Sequence, residues 1–123
     1  MIAVFPTMIF GALAALLALA APAAAHSELR RSVPAQNAVL DASPPEIVVA
    51  FNERVQVTTL RLVDAAGRQI RLPTATLRAA AAVERAVVPS ALAPGWWQLE
   101  WAAISADGHP ISGRVHFEIR SSP

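Results

Sequence analysis

The chain has 123 residues, 54% of them hydrophobic, and a formal net charge of only +1, which allows one domain and little more. Cysteine is absent, so disulfides, thiolate metal sites, cysteine nucleophiles and iron–sulfur clusters are excluded. Lysine and tyrosine are absent too; of the arginines only Arg30 and Arg31 are adjacent, unlike the clustered footprint that nucleic-acid backbones require, and no nucleic-acid partner is expected.

The first 25 residues carry no charged side chain. Residues 8–21 (M-I-F-G-A-L-A-A-L-L-A-L-A-A) form an apolar run as long as a signal-peptide core. Pro22 breaks it, and Ala23, Ala24 and Ala25 supply the small residues of an A-x-A cleavage site. Residues 1–25 are therefore expected to be a signal peptide, cut between Ala25 and His26, leaving 26–123 as one exported domain. The n-region has no Lys or Arg, and an uncleaved anchor is the alternative, since the apolar stretch approaches the ~20 residues that span a bilayer. Cleavage would make His26 the first residue, with a free α-amine beside its imidazole.

After His26 the pattern is that of an all-β domain: short alternating or β-branched runs punctuated by Pro, Gly, Asn and Asp. In chain order, strands are predicted at 46–51, 55–63, 68–72, 84–88, 96–101 and 114–120. Asp64, Ala65, Ala66 and Gly67 read as a hairpin turn between the second and third, and Pro44-Pro45 and Pro94-Gly95 as turns that open strands. In W-W-Q-L-E-W the period is two, putting Trp97, Leu99 and Trp101 on one face and Trp96, Gln98 and Glu100 on the other. Val115, Phe117 and Ile119 alternate in the same way with Arg114, His116, Glu118 and Arg120. Half-buried strands of this kind predict a two-sheet β-sandwich of immunoglobulin-like or cupredoxin-like type.

Three histidines could carry chemistry. The amine and imidazole Nδ1 of an amino-terminal His26 can close a six-membered chelate ring on one metal ion, an arrangement suited to Cu(II) with its preference for tetragonal nitrogen and oxygen donors. In S-A-D-G-H-P, Asp107 and His109 stand at i and i+2 and can point the same way on an extended backbone, with Pro110 favouring extension at His109. The plain alternative is a polar turn in which Asp107 caps backbone amides. His116 falls on the predicted polar face and reads as a solvated strand residue. No nucleophile elbow, P-loop or dinucleotide fingerprint is present.

With H-S-E-L-R-R-S-V-P-A at the new terminus, F-N-E after the first long strand and the closing G-W-W-Q-L-E-W-A-A-I-S-A-D-G-H-P-I-S-G-R-V-H-F-E-I, the sequence resembles the CopC family of periplasmic copper-binding proteins. The resemblance implies a small cupredoxin-like β-sandwich that binds one Cu(II) ion in copper resistance or homeostasis, beside an inner-membrane CopD-type partner. It places the ligands at His26, Asp107 and His109 and puts Glu53 of F-N-E next to the site, hydrogen-bonding a ligand or water. The methionine-rich loop that gives some members a Cu(I) site has no counterpart, because Met1 and Met8 leave with the leader. Glu28 stands where some members carry a further histidine. The expected role is a carrier or buffer rather than an enzyme. The alternatives are a copper-dependent oxidative enzyme using a histidine brace and a metal-free interaction module.

Overall fold

Runs of β-branched residues broken every few positions by Pro, Gly or Asp favour strands over helices, and in the computed structural model the described residues are all-β. The structure describes residues 3–4, 27–74 and 80–121. Apart from residues 3–4, the expected leader and its cleavage site, together with His26, lie outside the described residues.

Seven strands follow in order: β1 (Leu29–Val33), β2 (Ala38–Leu40), β3 (Glu46–Asp64), β4 (Gln69–Arg71), β5 (Ala81–Val87), β6 (Gly95–Ile104) and β7 (Pro110–Ile119). The two strands expected at 46–51 and 55–63 are one, β3, of 19 residues. Asn52, Glu53 and Arg54 include no Pro or Gly, so the chain bends there without breaking. Its first half pairs antiparallel with β1 on one side and β5 on the other. Its second half pairs antiparallel with β4 and β6, and β6 continues to β7 and the short parallel strand β2. β3 thus belongs to both layers of a β-sandwich. The register against β5 shifts between Ala50 and Val55, a bulge of the sort that turns a strand from one sheet into the next.

β1 and β2 escaped the pattern reading for physical reasons. β1 is an outer strand whose L-R-R-S-V has a single fully buried position, Ser32, so it shows no apolar alternation. β2 has three residues, too few for a period.

The inner faces close one core containing Ile47, Val49, Phe51, Val55, Val57, Leu60, Leu62, Trp97, Leu99, Trp101, Val115, Phe117 and Ile119. Leu62 and Leu99 face each other across the β3–β6 ladder and are fully buried; burying one such side chain contributes about 1.5–3 kcal/mol. Trp101 meets Phe51 edge-on, with ring centroids 5.2 Å apart and planes at 76°, the arrangement that aromatic quadrupoles favour. The expected alternation in β6 holds: Trp97 and Trp101 are buried and Trp96 is exposed. Trp97 Nε1 also donates to the Ala93 carbonyl at 2.8 Å, which satisfies the indole as it leaves water.

Candidate metal centre

Two hairpins in this fold use the same backbone. In D-A-A-G-R, the Gly67 amide donates to the Asp64 carbonyl and the Asp64 amide to the Arg68 carbonyl, both at 3.0 Å. In S-A-D-G-H, the Gly108 amide donates to the Ser105 carbonyl at 2.9 Å and the Ser105 amide to the His109 carbonyl at 2.8 Å. The fourth residue of each, Gly67 or Gly108, has φ near +84° or +88°. This is a three-residue loop closed by a glycine bulge.

The difference lies in where the carboxylate sits. In the first hairpin Asp64 is the opening residue, and its Oδ1 accepts from the amides of Ala66 and Arg68 at 2.9 and 2.8 Å. In the second, Ser105 takes over that duty: its Oγ accepts from the His109 amide at 3.1 Å. The carboxylate moves two residues on to Asp107, out at the loop, where it is available to a ligand.

Asp107 and His109 do come together, with Nδ1 and Oδ2 3.0 Å apart. The extended backbone expected between them is replaced by the turn and the left-handed Gly108, which bring the two side chains round to each other. The Ser105 hydroxyl donates to Asp107 Oδ1, and the His109 amide approaches the same oxygen at 3.2 Å. These donors, the Ser105 hydroxyl first, hold the Asp107 carboxyl down at about 2. It is a carboxylate at any ordinary pH, with lone pairs ready for a cation. Both side chains are exposed, 62% for Asp107 and 78% for His109.

The other wall comes from the start of the described chain. Ser27, Ser105, Asp107, His109 and Ile111 line one open pocket of about 190 Å³. Ser27 is held there by the corner of β3: its hydroxyl donates to Glu53 Oε1. One residue on, Glu28 is clamped by Asn52, whose Oδ1 accepts from the Glu28 amide at 2.7 Å and whose own amide donates to the Glu28 carbonyl at 3.0 Å.

Of the residues singled out from the sequence, Asp107 and His109 are therefore neighbours, and Glu53 reaches the same region through Ser27. His26 lies outside the described residues. Among the described residues no three His, Asp or Glu side chains gather to hold a metal ion; Asp107 and His109 bring together two candidate donors. His116 lies on the exposed outer face of β7, opposite Gln98. Sequence reasoning missed Ser27, Asn52 and Ser105. The first two act through pairing across 24–26 positions, which no local pattern announces. Ser105 was within reach, since a hydroxyl at the start of a D-G turn is a common cap.

The CopC domain family matches residues 29–120. The copper resistance protein C of Pseudomonas syringae pv. tomato is 30% identical over 115 residues, covering 87% of this chain and 90% of that protein. The copper transport protein CutJ of Bacillus subtilis is 26% identical over 98 residues, covering 77% of this chain, which spans only 18% of CutJ's length. The crystal structure of CopC from Methylosinus trichosporium OB3b superposes with a TM-score of 0.69 at 21% identity, covering 77% of this chain and 94% of that one. A match that runs from the first strand to the end of the last, on the same β-sandwich, leaves one conclusion: the chain belongs to the CopC domain family.

Proposed function

We propose that residues 26–123, freed from a signal peptide, form a periplasmic carrier or buffer that binds one Cu(II) through the His26 amine and imidazole, the Asp107 carboxylate and the His109 imidazole. The observation that carries this reading is the shared pocket: Ser27, one residue from His26, lines it together with Asp107 and His109. Consecutive Cα atoms are about 3.8 Å apart, which supports the residue before Ser27 as the one that completes the donor set.

The chemistry of the donor set supports copper in its oxidised form. Two ligands at adjacent corners of a tetragonal site, each about 2 Å from the ion, stand about 2.8 Å apart; His109 Nδ1 and Asp107 Oδ2 are 3.0 Å apart. Nitrogen and carboxylate donors suit Cu(II), whereas Cu(I) favours thioethers and thiolates. The chain has neither after Met8. The relatives named for copper resistance and copper transport support copper as the metal. Four protein donors would fill the plane of the ion and leave no open equatorial position for oxygen, which favours holding over turnover. The exposure of Asp107 and His109 suits an ion that must be handed on, and an inner-membrane CopD-like transporter is the natural recipient.

The test is electron paramagnetic resonance of the processed protein with one equivalent of Cu(II). Hyperfine structure from three nitrogens is expected. His26→Ala and His109→Ala should each weaken Cu(II) binding by orders of magnitude in a competitive titration, and one extra residue ahead of His26 should do comparable damage by removing the free amine. Unchanged affinity in these variants would refute the ligand set.

A further inference from the structure

On the outer face of the larger sheet, strand register brings four charged side chains into one row. Arg71 on β4 stands opposite Arg61 on β3, Arg61 opposite Glu100 on β6, and Glu100 opposite Arg114 on β7. The next row, Thr59, Ala102 and Ser112, runs alongside. Together with Trp101 and Gly113 these residues line an open recess of about 330 Å³, of the size that takes a small ligand.

The charges in it are not balanced. Glu100 is fully engaged. Its Oε2 accepts from Arg61 Nε at 2.7 Å and Nη2 at 2.5 Å, and its Oε1 accepts from Gln98 at 2.9 Å. Arg61 is thereby compensated. Among the described residues no hydrogen bond or close ion pair engages the Arg71 or Arg114 side chain, and Arg114 attracts Glu100 only at longer range; three guanidinium groups around one carboxylate leave a surplus of two positive charges at the recess. Like charges directly opposite on neighbouring strands are destabilising, yet Arg61 and Arg71 stand so. The Cα atoms of Arg71 and Arg114 are three strand spacings apart, about 14 Å. Two arginine side chains can bridge that span onto one ligand, with the Thr59 and Ser112 hydroxyls as further donors.

The geometry points to a second ligand site, for a small oxoanion carrying at least two charges, a polycarboxylate or a phosphate, gripped between Arg71 and Arg114 above the Arg61–Glu100 pair. Guanidinium forks match carboxylate and phosphate oxygens two at a time, and a divalent anion cancels the surplus. The site shares no residue with the pocket of Ser27, Asp107 and His109 and does not depend on the copper reading.

The test is calorimetric titration of the metal-free protein at constant ionic strength with citrate and, separately, inorganic phosphate, using acetate as the monovalent control. Saturable one-to-one binding of citrate or phosphate is expected, and the tighter of the two identifies the chemistry; acetate should bind far more weakly. Arg71→Gln and Arg114→Gln should each weaken binding about tenfold, the scale of losing one hydrogen-bonded charge. Arg120→Gln removes the same charge away from the recess and should change binding less than twofold. Each variant's melting temperature reports whether it folds, and arginine Nε–H chemical shifts in the unmodified protein give a readout that needs no variant. Absence of saturable binding, equal losses from Arg120→Gln, or binding of a polyglutamate peptide with neither small anion would overturn the assignment. The copper titration would be untouched by any of these results.

Discussion

Three consecutive residues at the corner of β3 decide where Ser27 and Glu28 lie. Phe51 anchors the corner in the core against Trp101, Asn52 clamps Glu28 with two reciprocal hydrogen bonds, and Glu53 takes the Ser27 hydroxyl. Asn52 contributes one of its two bonds through its side chain, so its identity matters. Asn52→Leu keeps the backbone bond and removes the acceptor for the Glu28 amide; Asn52→Asp keeps an oxygen there. Loss of one hydrogen bond is worth about 0.5–1.5 kcal/mol, so Asn52→Leu should cost that much in folding. On the proposed ligand set it should also weaken Cu(II) binding up to about tenfold by loosening Ser27 and Glu28 beside the pocket, while Asn52→Asp retains most of the affinity. Amide exchange at Glu28 checks the clamp without metal: it should accelerate in Asn52→Leu and stay slow in Asn52→Asp. Slow exchange in both would remove Asn52 from the positioning role.

At the scale of whole elements, β6, β7 and the hairpin between them bring Asp107 and His109 together, and two glycines serve them differently. Gly108 has φ +88° and open space where a Cβ would go, so Gly108→Ala costs the left-handed backbone alone, about 1–2 kcal/mol. Gly113 has no such φ, but a Cβ there would come within 2.7–2.8 Å of the Trp101 indole. Gly113→Ala must push ring or strand aside, an overpacking cost of about 1–3 kcal/mol. The two are told apart by tryptophan emission: Gly113→Ala should shift it and Gly108→Ala should not, with urea denaturation giving the stabilities. Much of this was readable in advance. Period-two alternation predicted which tryptophans of β6 are buried and that Val115, Phe117 and Ile119 of β7 are too, and the D-A-A-G turn was recognisable because a left-handed glycine leaves a local signature. Asp107 and His109 were found as a pair; between them stands the polar turn that the sequence offered as the alternative to extended chain, with Asp107 accepting from the His109 amide. The continuity of β3, the edge strand β1 and the attachment of Ser27 and Glu28 to Asn52 and Glu53 were not readable. They arise from pairing between distant segments, and an edge strand with one buried side chain carries no period to detect.

Over the whole molecule, two carboxylates far apart in role make folding depend on acid in the same direction. Asp107 is held at about 2 against an ordinary 3.8, by the Ser105 hydroxyl above all. Glu100 is held below its ordinary 4.5, chiefly by its hydrogen bond from Arg61. In each case the folded carboxyl binds its proton less readily than the unfolded one. Stability is therefore fully present above the unfolded values, and it is lost as pH falls from about 5 towards 2. Both groups are solvent-accessible, so each slope is shallow. Urea denaturation of the metal-free protein at pH 6, 4 and 2.5 should show a fall across that range, flattened by Asp107→Asn and by Glu100→Gln and further by both together. On the proposed ligand set, protons compete with the metal for the amine and imidazoles, so Cu(II) affinity should fall steadily as the pH is lowered while the domain stays folded. Competitive titrations at pH 7.5, 6.5 and 5.5 check this, and an affinity that does not change across them would contradict nitrogen ligation.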